Sequence, residues 1–145
     1  MIIIFVRQQL GLRNLHALIP TRRDMLGLAA EAIDIIKKRT LAGTDIDGRR
    51  FAKYSRAYKE HREDKGRTTS VVNLSFHGDM LRSMAFRPIS NGAVVFFRDA
   101  ERSAIARYHN DGLGVPQRQF FGLSDAELHR LSEDLSKRLR ERAKK

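Results

Sequence analysis

The chain has no cysteine and no tryptophan, and only three prolines. Without cysteine there are no disulfides, no thiolate nucleophiles and no zinc sites built on thiolate ligands. Either redox compartment stays open. No apolar run approaches the roughly 18 residues a bilayer-spanning helix needs. The opening run, Ile2-Ile3-Ile4-Phe5-Val6, is too short for the apolar region of a secretory signal, and no basic residue precedes it. The expectation is a protein made in the cytoplasm and free of membrane. Phosphate-cradling glycine patterns are missing as well, since Gly112 and Gly114 are a fragment only, and no serine sits in a G-x-S-x-G setting. His16, His61, His77, His109 and His129 show no H-x-x-x-H spacing. Asp45 and Asp47 lack the further ligands of a calcium loop. The expectation is a non-enzyme with no cofactor and no metal.

What is present is an ordinary globular composition, 41% hydrophobic and 31% charged, over 145 residues that are expected to form a single domain, 1–145. The net charge of +11, from 28 Lys+Arg against 17 Asp+Glu, favours an anionic partner. Ile2 to Val6 reads as a short buried strand, and a weaker helical stretch covers Leu10 to Leu18. Thr21 with Asp24 three residues later starts a helix with Met25, Leu28, Ala32, Ile35 and Ile36 on one face. Lys37, Lys38 and Arg39 suit its negative end, and Gly43 its stop. Asp45, Asp47 and Gly48 predict a tight turn.

Phe51, Tyr54 and Tyr58 fall at helical spacing, which predicts the buried edge of a short helix in preference to a stacking platform. The stretch "HREDKGRTTS", about 61–70, reads as an exposed loop. Past an extended "VVNLSF" the chain turns helical near Gly78, with Met80, Leu81 and Met84 on one face. Asn91-Gly92 predicts a hairpin turn between Ala85–Ile89 and Ala93–Arg98. "YHNDGLG" and Val115-Pro116 read as a glycine-rich connection. Ser124 and Glu127 form a capping box, Leu123 and Leu128 its hydrophobic staple, and Leu128, Leu131, Leu135 and Leu139 one stripe. The helix ends in the basic "KRLRERAKK". The fold class is therefore α+β: a small, mostly antiparallel sheet with a β-hairpin, flanked by two longer amphipathic helices.

Two readings compete for Phe120 and Phe121 beside Arg118. They are either stacking residues of a nucleic-acid surface or an anchor that fixes the chain just upstream of a helix start. The placement favours the anchor. Arg22, Arg23, Lys37, Lys38, Arg49 and Arg50 are candidate contacts to phosphate or to an acidic partner. Helix-end electrostatics already accounts for several of them. No helix-turn-helix, zinc-finger, RNP or KH signature accompanies them, so a nucleic-acid module would bind without regard to sequence.

Four stretches in order carry a resemblance: "GTDIDGRRFAKYSRAY", "LSFHGDMLRSM", "ARYHNDGLG" and "VPQRQFFGLSDAEL". Together they resemble the tailed-phage virion-morphogenesis or tail-completion (neck) family, over roughly Gly43 to the end of the chain. The chain departs from the pattern at Phe76-His77, where a small hydroxyl residue is usual, and at Gln119, where proline is. The resemblance implies a non-enzymatic virion protein of a tailed bacteriophage, located in the neck or tail and made in the host bacterial cytoplasm. Its implied partners are other neck and tail proteins (a portal-side adaptor or stopper, a tail terminator or tube) and copies of itself in a ring, with nonspecific DNA contact as a further option. It makes Tyr108, His109, Asn110, Gly112, Arg118, Phe120 and Phe121 the structural and interaction hub. The alternative reading is a sequence-nonspecific nucleic-acid-binding module.

Overall fold

The computed structural model, which describes residues 2–5, 19–90 and 92–144, is an α+β fold with a small antiparallel sheet. In chain order the elements are β1 (Ile2–Phe5), α1 (Arg22–Leu41), α2 (Arg56–Asp64), α3 (Asp79–Arg82), β2 (Met84–Ile89), β3 (Gly92–Phe97), α4 (Ala100–Asp111) and α5 (Asp125–Ala143). The strands lie in the order β1-β3-β2. β3, "GAVVFF", is the continuous apolar run and takes the centre. β2 carries Pro88, which cannot donate to a ladder and is tolerated because β2 is an edge. Alternate β3 residues Ala93, Val95 and Phe97 join the main core, under α1.

The hairpin expected from Asn91-Gly92 is present but shifted. Ile89 pairs with Gly92 and Met84 with Phe97, so Gly92 is the first residue of β3 and not part of the turn. A one-residue slip would turn Val95, which is fully buried, to the opposite face, and that cost fixes the register. Asn91 itself and the helix expected over Leu10 to Leu18 lie outside the described residues.

α1 begins as its sequence indicates. The Thr21 hydroxyl accepts from the Asp24 amide and the Asp24 carboxylate accepts from the Thr21 amide, a complete capping box. Met25, Leu28, Ala29, Ala32, Ile33 and Ile36 are buried, and Gly43, in a left-handed conformation, lies just past the end. α5 starts with the Ser124–Glu127 box and runs antiparallel to α1: Glu127 pairs with Arg39, Arg138 with Glu31 and Arg142 with Asp24. Leu131, Leu135 and Leu139 are buried on that side. Leu128, expected on the same stripe and in the staple, is 42% exposed. Glu127 points at α1, and the next residue is turned about 100° away.

Three further expectations are corrected. Phe51 and Tyr54 are not helical: Ser55 caps α2 by accepting from the Tyr58 amide, so the helix starts at Arg56. Phe51 is buried from a segment without regular structure instead. The stretch 61–70 is no simple exposed loop, because α2 runs to Asp64 and Arg62 is buried. Tyr108, His109 and Asn110 are not in a glycine-rich connection but in the last turn of α4, a helix capped by the Asp99 carboxylate on the Arg102 amide.

Candidate functional site

The hub residues gather where α4 ends and the chain returns to α5. Gly112 terminates α4 with φ of +74°, and a Cβ there would stand 3.0 Å from Gln117 Cβ. The chain therefore folds back tightly on the helix it has just left. The Arg118 amide donates to the His109 carbonyl at 2.7 Å. The Gln117 side-chain amide donates to the Asn110 carbonyl at 3.2 Å. Asn110 Oδ1 accepts from the Phe121 amide at 2.9 Å. These bonds pin the mostly exposed connection to the end of α4.

Arg118 enters the protein from this segment and is only 4% exposed. Its Nε donates to the Ala52 carbonyl at 2.9 Å and its Nη2 to the Lys53 carbonyl at 3.0 Å. Nη1 lies 3.4 Å from His109 Nδ1, and the guanidinium carbon 5.4 Å from the Tyr54 ring centre. Burial pushes the His109 imidazole below its ordinary value, and the Arg118 charge adds to that. A neutral ring with a free Nδ1 lone pair is the form that accepts from Arg118. Burial also pulls the Arg118 guanidinium below its ordinary value, against the opposing influence of Tyr54 and Tyr58. It stays a cation at neutral pH.

Phe120 is fully buried, with ring centres 6.4 Å from Phe97 and 6.2 Å from Phe121. Phe121 is half-buried, 4.7 Å from Phe97. Neither ring is offered to solvent as a stacking platform. The Ile46 amide donates to the Gln119 carbonyl at 2.9 Å, and a Cβ on Gly122 would fall 2.7 Å from Ile46 Cδ1. The Asp45 turn thus supports the connection from the other side. Tyr108 is the exception among the hub residues, at 49% exposed.

The basic candidates do not form one surface. Arg22 and Arg23 are exposed at the start of α1, while Lys37 and Lys38 lie near its end, a separation of about 22 Å along the helix. Lys38 is paired with Asp34 at 2.7 Å. Arg49 and Arg50 are exposed on the turn that follows α1. Among the described residues, no three of His, Asp and Glu are grouped as metal ligands, and no helix is long and apolar enough to cross a membrane. The Ser124 and Ser55 hydroxyls are engaged as helix caps.

Two arginines outside the candidate set complete the site. Arg39 Nη1 meets both Glu127 carboxylate oxygens at 2.6 and 2.5 Å, and Nη2 donates to the carbonyls of Phe120 and Gly122 at 2.7 and 2.8 Å. It was legible only as one of three cations at a helix end. Arg62, 1% exposed, donates to the carbonyls of Thr68 and Ser75 and lies against Tyr54, Tyr58 and Phe76. Its four-residue spacing from Tyr58 was the available signal.

Gly112→Ala is expected to destabilise the protein by about 1–2 kcal/mol, because a side chain is strained in the left-handed region and the Cβ presses on Gln117. Gly114 has φ of +73°, and a Cβ there would meet nothing within 4 Å. Gly114→Ala should therefore cost less, and urea unfolding of the two variants measures the difference. Comparison with known proteins finds no matching family model, curated sequence or solved structure.

Proposed function

We propose that this chain is a structural assembly subunit of a tailed bacteriophage, completing the tail or joining it to the head at the neck by docking on ring proteins. The observation that carries this reading is the fixation of the last connection. Arg118 ties it to the carbonyls of Ala52 and Lys53, Arg39 holds its Phe120 and Gly122 carbonyls, and Phe120 plugs it into the core. A subunit that transmits load between rings needs rigid segments, and a closed ring needs two different complementary patches on each copy. The ordered series of four sequence segments supplies the phage assignment.

The test is co-expression with the proteins encoded beside it, followed by native mass measurement and sedimentation. The expected result is a defined multi-copy ring or a complex with portal-side or tail-tube proteins. A persistent monomer in their presence counts against the assignment. The exposed Arg22, Arg23, Arg49 and Arg50 favour one second reading, sequence-neutral DNA contact. That reading requires binding that weakens steeply with salt, with a log–log slope of about −0.9 per phosphate neutralised.

A further inference from the structure

A groove of about 670 Å³ opens between α2, α3, α4 and the return segment. That volume is in the range of about 300–1,000 Å³ typical of sites that take a ligand. Leu74, Phe76, Met80, Ile105, Val115 and Pro116 make its walls apolar. Its charged lining is Lys53, Arg102 and Arg118 against a single carboxylate, Asp79. Asp79 is already engaged by Arg82 and lies 3.8 Å from Arg102.

Beneath the groove the charge imbalance deepens. The Arg118 and Arg62 guanidinium carbons lie 5.4 and 4.9 Å from the centre of the same Tyr54 ring. Both side chains are nearly fully buried, and their donors go to neutral acceptors: the carbonyls of Ala52, Lys53, Thr68 and Ser75 and the Asn73 side chain. Among the described residues neither forms an ion pair with a carboxylate. Buried cations without counter-charge are costly, and in a poorly screened interior their field reaches into the adjoining groove. An anion seated there would offset part of that cost. The apolar walls ask for hydrocarbon beside the anion, which a bare phosphate chain does not offer.

We propose that this groove is the docking site for an acidic segment of a partner protein. A leucine or aromatic side chain of the partner sits between Phe76, Ile105 and Val115, and flanking Asp or Glu carboxylates face Lys53 and Arg102 over Arg118. A second copy of this chain, itself at +11, is the poorer electrostatic match. The identity of the partner as a virion protein rests on the function proposed above; its chemistry does not.

The experiment titrates the full-length protein, methyl-labelled at Ile, Leu, Val and Met, with a blocked twelve-residue peptide alternating Glu and Asp with Leu and Phe. Two further probes are the same peptide with Gln and Asn in place of the acids, and a twelve-nucleotide oligo-dT. Saturable shifts at Leu74, Met80, Ile105 and Val115 with the acidic peptide are expected. A Lys53→Gln/Arg102→Gln variant, whose thermal midpoint checks its folding, should bind about fivefold to tenfold more weakly. Equal binding of the neutral peptide, movement of the same methyls by oligo-dT, or acidic-peptide shifts absent or confined to other sites would each overturn the proposal. Groove binding without ring assembly would remove the neck assignment and keep the groove; rings with a silent groove would do the reverse.

Discussion

Phe120→Ala is expected to cost about 3–5 kcal/mol of folding stability, the range for truncating a well-packed aromatic core residue. For a chain of this length that lowers the thermal midpoint by about 10–15 °C. The upper part of the range applies because the site resists collapse. Phe120 is fully buried against Phe97 and Phe121, and its carbonyl is held by Arg39 while the next amide is held by Asn110. The backbone cannot follow the lost ring inward, so a cavity remains. Phe121→Ala, at a half-buried position, should cost about half as much. Urea unfolding of both variants gives the comparison. A loss under about 1 kcal/mol for Phe120→Ala would mean the ring is no plug and would reopen the stacking reading.

That plug was legible because its setting is local. The Ser124–Glu127 box fixes where α5 begins, and two phenylalanines just upstream of a fixed helix start have little room to be anything but an anchor. The Thr21 cap and the α1 stripe were readable for the same reason, and so was the α+β class, while the reciprocal Asp24 bond that completes a box came from the fold. What failed to read was of two kinds: helix limits set by weak local signals, and contacts with partners far along the chain. Phe51, Tyr54 and Tyr58 mimic a helical stripe, yet a serine cap between the second and third breaks it. α4 was hidden because its apolar face is thin, with Ala106 its one buried residue. Asp99 and Gly112 mark its two ends and were the signals to weigh. Arg39, Arg62 and Arg118 look alike as cations in the sequence. Only the fold brings carbonyl groups to them, for Arg39 and Arg118 from tens of residues away, and this turns surface-type residues into internal cross-links.

Arg39→Met tests that role most directly, and about 3 kcal/mol of destabilisation is expected, the lower end of the cost of breaking a buried pair. The lower end applies because the Arg39 and Glu127 side chains keep 9% and 17% exposure. The methionine preserves bulk but drops the two bonds to Glu127 and those to the carbonyls of Phe120 and Gly122. Glu127 retains its cap on the Ser124 amide, so α5 should still start in place. A matching Glu127→Gln change in the same chain should recover part of the loss, since it removes the stranded carboxylate. The pH dependence supplies a second readout. Burial alone would raise the Glu127 carboxyl, but the Arg39 guanidinium and the Ser124 amide and hydroxyl outweigh it and hold the group below its ordinary 4.5. A carboxyl with a depressed folded-state value binds fewer protons when folded than when unfolded. Its stabilisation is complete above 4.5 and is lost as pH falls from there through the lowered value. Wild type and Arg39→Met should therefore differ most at neutral pH and converge in acid, leaving only the contribution of the two carbonyl bonds. A gap that stays constant from neutral to acid pH would show that Arg39 stabilises the return segment by packing alone.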